Sequence, residues 1–510
     1  MSWDDAIGGV KQQLPRFNDY LLRVFRKEQV KRFSEFMDVA FNEAIQLFNG
    51  KLKYKGYCVL SPERRIDYMI NNDLIRGRIN IQQSELELVE FLFEYEDNIV
   101  PVPLYLPYLY RDALVINDTR FYMELAINER MIYRMPDGVV IKVMRSPLQF
   151  WRTEQVACAT VKGYQFFEPV ITVKAHYRKS SSKAKNKTPL ILYLLSQYSF
   201  DQVCSILSIP EGALSFVTAP EENEQFDYLK CKDNIYMQID TTLLKDVDSR
   251  RFIISVWYIL KNIRRPCSIG DVYNTTLYKT CLGKALYGNS VSEALAAGHA
   301  ESHLDSLKSY LDKYTKNELA LMGIYCSDVF DLFTAVFLRI DSWLTNYRPN
   351  DLFGKRIGGA ELIMMAVVEQ VFTRFYDTLK RNKVIGLKEI RSMLRIDAMK
   401  ISKIHDVKSL QSTTSLYNDN TLISILIKKI RQSSSSEGRD TKKSTNLIGA
   451  KEHQFDPSFL AIESALAISS SSPGVSGDIN PYAVIDQRGY FVKEQMPWYQ
   501  EIAPLAKYLN

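Results

Sequence analysis

No run of 18 apolar residues occurs anywhere in this chain, and its start, Met1-Ser2-Trp3-Asp4-Asp5, lacks the basic-then-apolar pattern of a secretory leader. Both absences point to a soluble, intracellular protein. Cysteine is sparse and scattered: Cys58, Cys158, Cys204, Cys231, Cys267, Cys281 and Cys326 show no two-residue spacing. That pattern excludes a zinc ribbon, and the odd count fits free, buried thiols in a reducing compartment. Histidine is rarer still, with five in the chain. His299 and His303 stand four apart on an expected helix, but Glu301 is in the wrong place for a metalloprotease helix. No phosphate loop is present, because Gly283-Lys284 has Tyr278 where the first glycine should be. Nothing supports a Cys-His nucleophilic pair.

Carboxylates spaced for two-metal chemistry are also missing. Asp246-Val247-Asp248 comes nearest, and such a pair reads as a surface turn. The chain is therefore expected to hold no cofactor and no catalytic metal. Excess charge is missing too: 65 basic against 59 acidic residues leave +6, too little at this length to argue for nucleic acid. Only the local distribution of charge can do that.

What is present is apolar mass. With 510 residues and 46% hydrophobic composition the chain can build two to four packed units. From Asn18 to Gly50 the apolar positions Leu21, Leu22, Phe25, Phe33, Phe36, Met37, Ala40, Phe41, Ala44 and Leu47 predict one or two amphipathic helices, with Gly50 as the stop. Between Tyr57 and Val173, runs such as Val100 to Tyr105 and Val139 to Met144, with Asp137-Gly138 as a turn, predict sheet. Arg178 to Lys187 has no apolar residue but Ala184 and reads as a solvated loop. From about Glu293 to Lys380 the pattern is helical again, and Leu362 to Val368 is apolar all round, as in a buried helix. The last hundred residues mix short strands with polar loops. The fold class is α+β, multidomain.

Charge concentrates in that last region. Lys428, Lys429, Arg431, Arg439, Lys442 and Lys443 place six cations within 16 residues, against Glu437 and Asp440. Cations so placed can hold phosphates without reading sequence, and affinity then falls as salt rises. Lys355-Arg356 is a smaller cluster. The serines and glycine of Ser433 to Gly438 keep the intervening loop able to move, as a gating element needs.

Taken in order, these segments resemble the N-terminal half of the β subunit of multisubunit DNA-directed RNA polymerases. Ser415 to Arg431 is similar to the segment that lines the cleft and forms the rifampicin pocket; Asp419, Ser424 and Arg431 match polar positions, and Lys428 replaces the usual histidine. Ser433 to Gly449 occupies the place of the fork loop. Asp456-Pro457-Ser458 resembles His-Pro-Thr/Ser, and Ser469 to Asn480, with Gly477, Ile479 and Asn480 in register, is followed by Gly489-Tyr490-Phe491. Upstream, Asp351 to Ile357 with Gly359 to Leu362 resembles the family's Asp-x-x-Gly-Asn-(Lys/Arg)-Arg-(Ile/Val) and its helix, while Leu114 to Asp118 and Arg145-Ser146-Pro147 resemble the protrusion.

The resemblance implies protrusion (1–152), lobe (153–347), protrusion again (348–410), then fork region and hybrid-facing wall (411–510). It implies a chain that covers only half of β, as in the split enzymes of giant bacteriophages, acting in the host cytoplasm during infection or from a virion-packaged form. Its partners would be a C-terminal β-like subunit, β′-like subunits whose aspartates hold Mg²⁺, template and promoter DNA, and nascent RNA, with no membrane. Nucleic acid would contact Lys355, Arg356 and the six cations above, the hybrid would face Asp419, Ser424, Lys428 and Arg431, and this chain would supply no catalytic residue. Lysine at 428 implies insensitivity to rifampicin. A phage structural or DNA-packaging protein is the alternative from another class, and a stand-alone nucleotidyltransferase is a third.

Overall fold

The computed structural model describes residues 20, 24–48, 50–76, 86–107, 109–110, 113–116, 119–123, 125–135, 137–143, 147–175, 188–232, 234–263, 266–308, 310–345, 351–358, 371, 374–375, 377–379, 385–394, 414–416, 431–433, 458–462, 476–480 and 482–496. These residues are mixed α and β. They divide between two compact units, Met1–Arg130 with Arg348–Asn510, and Met131–Tyr347. Arg178 to Lys187 and Leu362 to Val368, singled out above, lie outside the described residues.

In the first unit the expected amphipathic helix forms as α1 (Phe25–Ile45). Its Phe33, Met37, Ala40, Phe41 and Ala44 recur at helical spacing and are all buried. They face an antiparallel sheet of β1 (Leu52–Val59), β2 (Leu86–Tyr95) and β3 (Asn98–Pro107). Phe41 meets Phe91 and Phe93 of β2 at ring-centroid distances of 5.0 and 5.1 Å. Gly50 turns the chain from helix to β1 at φ +80°, a conformation that favours glycine. The sheet-rich region after Tyr57 also holds one helix between β1 and β2, α2 (Pro62–Arg76). The signal was there, since Ser61 precedes Pro62 at the first helical position and Glu63 follows in the first turn.

Four short strands follow: β4 (Leu109–Tyr110), β5 (Ala113–Ile116), β6 (Thr119–Met123) and β7 (Leu125–Glu129). The first three pair in sequence order as a meander.

The second unit opens on β8 (Ile132–Met135), β9 (Gly138–Ile141), β10 (Leu148–Ala159), β11 (Gln165–Ala175) and β12 (Thr188–Pro189), one antiparallel sheet with neighbours in sequence order. Against it lies α3 (Leu190–Gln197), whose Leu190 to Ser196 are all buried, so this helix runs through the core rather than over it. A second sheet, order β13-β15-β14, is built from β13 (Leu214–Val217), β14 (Phe226–Lys232) and β15 (Ile235–Asp240). The remaining helices are α4 (Phe200–Ile206), α5 (Val247–Lys261), α6 (Ile269–Tyr273), α7 (Thr275–Tyr287), α8 (Glu293–Lys308), α9 (Lys313–Leu321) and α10 (Val329–Leu344). The helical pattern read from about Glu293 to Lys380 is present as far as Leu344, while Lys355–Gly358 within that range is a strand. One apolar cluster runs from Val139 to Ile340 through most of these elements.

Several helix starts are written into the sequence as caps. Ser199 forms a capping box with Gln202, and Asp312 and Asp328 accept the first free amides of α9 and α10. Asp246 does the same for α5, accepting from the Ser249 amide at 2.8 Å and its hydroxyl at 2.7 Å. The Asp246-Val247-Asp248 pair is thus a helix N-terminus and not the surface turn expected. Asp248 pairs at 3.0 Å with Arg251, a guanidinium only 1% exposed that also donates to the Phe337 carbonyl and pairs with Asp341. Arg152 joins at 3.2 Å, so β10, α5 and α10 share one charge network.

The chain then returns to the first unit with β16 (Lys355–Gly358), α11 (Leu387–Leu394), β17 (Thr414–Leu416), β18 (Arg431–Ser433), α12 (Ser458–Ile462) and β19 (Ser476–Asp478). These late strands complete early sheets. β17 adds to the β6 edge, and β16, β18 and β19 gather on β7.

Candidate nucleic-acid interface

Strand β7 is short and apolar on one face, with Leu125 and Ile127 buried. A strand of this kind needs partners, and it takes them from both sides. β16 pairs antiparallel, Lys355 opposite Glu129 and Ile357 opposite Ile127. On the other side β18 pairs parallel, Gln432 opposite Leu125, and β19 closes the sheet with Asp478 opposite Arg431. Four segments far apart in sequence thus form one sheet, in the order β16-β7-β18-β19.

Just before β16, Asp351 starts a tight turn by accepting from the Phe353 amide at 2.9 Å. Ser458, at the head of α12, accepts from the Leu352 amide at 2.8 Å, so the Asp-Pro-Ser motif is hydrogen-bonded to the Asp-Leu-Phe-Gly motif. The end of α12 binds the next motif, because the Asn480 amide donates to the Ile462 carbonyl at 2.7 Å. Beyond Asn480 the chain forms a hairpin closed by Ile485 opposite Phe491. Asp486 Oδ1 accepts from the amides of Arg488 and Tyr490 at 2.9 and 2.8 Å, and Gly489 supplies the positive φ of +83° that the turn requires. That hairpin lies along the outer edge of β16, where the Ile357 amide donates to the Gly489 carbonyl at 2.8 Å.

Beneath these strands sits a core of Leu125, Ile127, Leu352, Phe353, Ile357, Ala461, Ile462, Ile479, Ala483, Ile485, Phe491 and Met496. The motif segments 351–357, 477–480 and 489–491 contribute to it through Leu352, Phe353, Ile357, Ile479 and Phe491, and α12 through Ala461 and Ile462. The polar motif residues are accordingly mounted on a shared apolar base, which fixes their relative positions far better than separate loops would.

Cations ring this base. Lys355 Nζ lies 3.2 Å from Glu129 Oε1, a cross-strand pair with both side chains partly exposed. Arg356 is 8% exposed, held in the sheet where its backbone bridges Tyr490. Arg431 occupies its strand by backbone pairing with Asp478. Of the other predicted contacts, Asp419, Ser424, Lys428, Lys429, Arg439, Lys442 and Lys443 lie outside the described residues.

Two cations that the sequence did not single out belong here. Arg130, at the end of β7, donates to the Phe353 carbonyl at 2.6 Å across 223 residues of sequence and places its guanidinium carbon 4.7 Å from the Tyr490 ring centroid. Lys493 Nζ lies 4.5 Å from the Phe353 ring centroid. Such stacking holds a cation in place without neutralising it. No local pattern around Arg130 could have shown this, since its partners come from two distant motifs.

Elsewhere the ionisable groups are structural. Burial pushes the thiols of Cys158 and Cys326 up to about 11, and those of Cys204 and Cys231 up to about 12, so they stay protonated and inert. Cys58 departs from the expectation of buried thiols and is exposed. His303 is buried beside the Tyr193 hydroxyl, 3.4 Å from Nε2, and His299 packs on Tyr287 at 4.7 Å. Desolvation raises Asp248, while hydrogen bonds from Ser249 lower Asp246. Among the described residues no three His, Cys, Asp or Glu side chains converge as a metal site requires, and no helix is long and apolar enough to cross a membrane.

The arrangement can hold and position a polyanion. No curated protein matches the chain. A family profile described as non-virion RNA polymerase subunit matches residues 6–503, a span that takes in nearly all of both units. The chain, with its motif-bearing sheet, therefore belongs to the family of non-virion RNA polymerase subunits.

Proposed function

We propose that this subunit is the N-terminal β-like half of a phage-encoded, multisubunit DNA-dependent RNA polymerase, forming one side of the DNA cleft and contacting template DNA and the RNA-DNA hybrid. One observation carries the reading. Segments that resemble β motifs, at 351–357, 431, 458, 477–480 and 489–491, meet in one sheet, one hydrogen-bond chain and one core, while 114–116 and 415–416 lie in the sheet of β4, β5, β6 and β17. Segments that imitated the motifs by chance would have no reason to meet.

In this reading Lys428, Lys429, Arg431, Arg439, Lys442, Lys443, Lys355 and Arg356 contact the nucleic-acid backbone, Asp419, Ser424, Lys428 and Arg431 face the hybrid, and Ser433 to Gly449 acts as the fork loop. Residues 1–152 and 348–410 correspond to protrusion, 153–347 to lobe and 411–510 to fork and wall. The partners are a C-terminal β-like chain, β′-like chains, template and promoter DNA and nascent RNA. Mg²⁺ would be held by aspartates of a β′-like partner and would stabilise the charge of nucleotidyl transfer there. This chain's share is to hold strands apart and in register, in the host cytoplasm during infection.

Purification of the chain from infected cells tests the assignment. A second β-like half and β′-like chains should accompany it in stoichiometric amounts; their absence would overturn the reading. In the assembled enzyme, Lys442→Ala with Lys443→Ala should weaken retention of DNA and flatten its salt dependence by about 0.9 per lost phosphate contact on a log-log plot. An unchanged slope would remove those lysines from the interface.

A further inference from the structure

We propose a second nucleic-acid contact in the second unit, where the last turn of α5 meets the end of β14: Lys230 and Lys261 bind phosphates, and Tyr258 offers a ring for base stacking. It rests on membership of the polymerase family and not on the β-like assignment.

The surface is a built one. Trp257 donates its indole N–H to the Lys230 carbonyl at 2.9 Å, which locks the ring against β14. Four residues on, one helical turn later, Lys261 lays its ammonium over that ring at 4.4 Å from the centroid. The cation is therefore held in place while its charge still faces water. Tyr258, 39% exposed, lies on the same exposed arc of the last turn, three residues before Lys261.

Among the described residues charge here is uncompensated, in contrast to several lysines of the same unit. Lys279, Lys284 and Lys308 each meet a carboxylate, Glu301, Glu293 and Asp305, at 2.8, 3.0 and 2.9 Å. Lys230 and Lys261 are exposed, and among the described residues neither pairs with a carboxylate. Segments 230–234 and 257–266 together carry Lys230, Lys232, Lys261, Arg264 and Arg265 against Asp233 alone.

Among the described residues of this patch, Lys232 has a structural duty. Lys232 donates to the Ile263 carbonyl just past the end of α5, where a positive charge complements the helix dipole. Lys261, in the last turn of α5, sits over an indole with its charge toward water, and Lys230 is on a strand. Fixed ammonium groups beside an exposed aromatic ring suit a strand that presents phosphates and bases alternately. An acidic protein segment would use the charge but not the ring.

The test uses the assembled polymerase carrying Lys230→Ala with Lys261→Ala, and separately a photo-crosslinking phenylalanine at Tyr258, with the same reagent at Tyr325 as the exposed control. Binding of labelled DNA should lose about 1.8 from its log-log salt slope. The variant should then lose about 12-fold less affinity than the parent between about 50 and about 200 mM salt. Illumination should join position 258, and not position 325, to DNA or RNA. An unchanged slope overturns the proposal, as does capture of another polymerase subunit at position 258, which would make the surface a protein contact. Either result leaves the Lys442 and Lys443 slope intact, so this site and the proposed cleft face fail independently. Circular dichroism melts of both variants guard against misfolding, and none is expected because the truncated side chains are exposed.

Discussion

The second unit is continuous in sequence and closes around one extended core, whereas the motif-bearing part of the first unit is assembled from strands that the chain delivers before and after an excursion of more than two hundred residues. Continuity lets neighbours in sequence pair in order, as β8 to β12 do. The sheet around β7 works differently. It exists only when distant segments have found one another, so its loop-closure cost is paid before any contact rewards it. One unit is thus built from neighbours in sequence, and the other from segments that only the fold brings together.

The largest expected effect tests that dependence. Phe353→Ala empties the small core under the motifs and should cost the first unit about 4 kcal/mol. In a denaturant titration followed at both units, the transition of the second unit should stay where it was, and movement of both would deny their independence. Gly283→Val acts on the other side. A Cβ there would stand 1.9 Å from the Ala296 carbonyl oxygen, so α7 and α8 must separate, at about 3 kcal/mol, in the second unit alone.

Ser458→Ala is a finer probe. It leaves the buried Leu352 amide without its acceptor and should cost about 2 kcal/mol. DNA retention should fall with it, while the Ser458→Thr enzyme keeps both. Asp246→Ala is smaller, about 1 kcal/mol from loss of an N-cap. Its carboxylate is held below the ordinary range, so its stabilisation is present above that range and lost as pH falls through the folded-state value. Parent and variant should therefore converge in acid melts taken below the ordinary carboxylate range, and a constant gap would assign the effect to packing.

Thiol chemistry reads the two units without altering stability. Cys58 is exposed in the first unit, and the other six cysteines lie in the second, four of them with thiols pushed up to about 11 or 12. Mass spectrometry after brief alkylation at neutral pH should find Cys58 modified first. Early labelling of Cys231 would show that the second unit opens more readily than its core implies.

Much of this was legible along the chain. The α1 stripe, the stop at Gly50 and the helices after Glu293 follow from spacing, because each depends on neighbours three or four residues away. The motif order named the segments that β7 later collects. Other features were visible but outweighed: Ser61-Pro62-Glu63 marks α2, yet the surrounding β-branched runs dominate the pattern. Asp246 read as part of a surface turn, although an Asp directly before the apolar run from Val247 is an N-cap signature. For Arg130 and Lys493 no signal exists, because each is defined by a ring or carbonyl contributed from elsewhere.

The sequence by itself determined the helical faces, the caps, the inertness expected of scattered thiols and the resemblance that led to a polymerase subunit. Those are local properties, set by spacing and residue chemistry. Tertiary structure decided that five of the motif segments meet around one sheet and its core, that Arg130 spans two of them, and that among the described residues Lys230 and Lys261 face water without a carboxylate. Proximity between distant residues depends on the whole fold, and no local spacing encodes it.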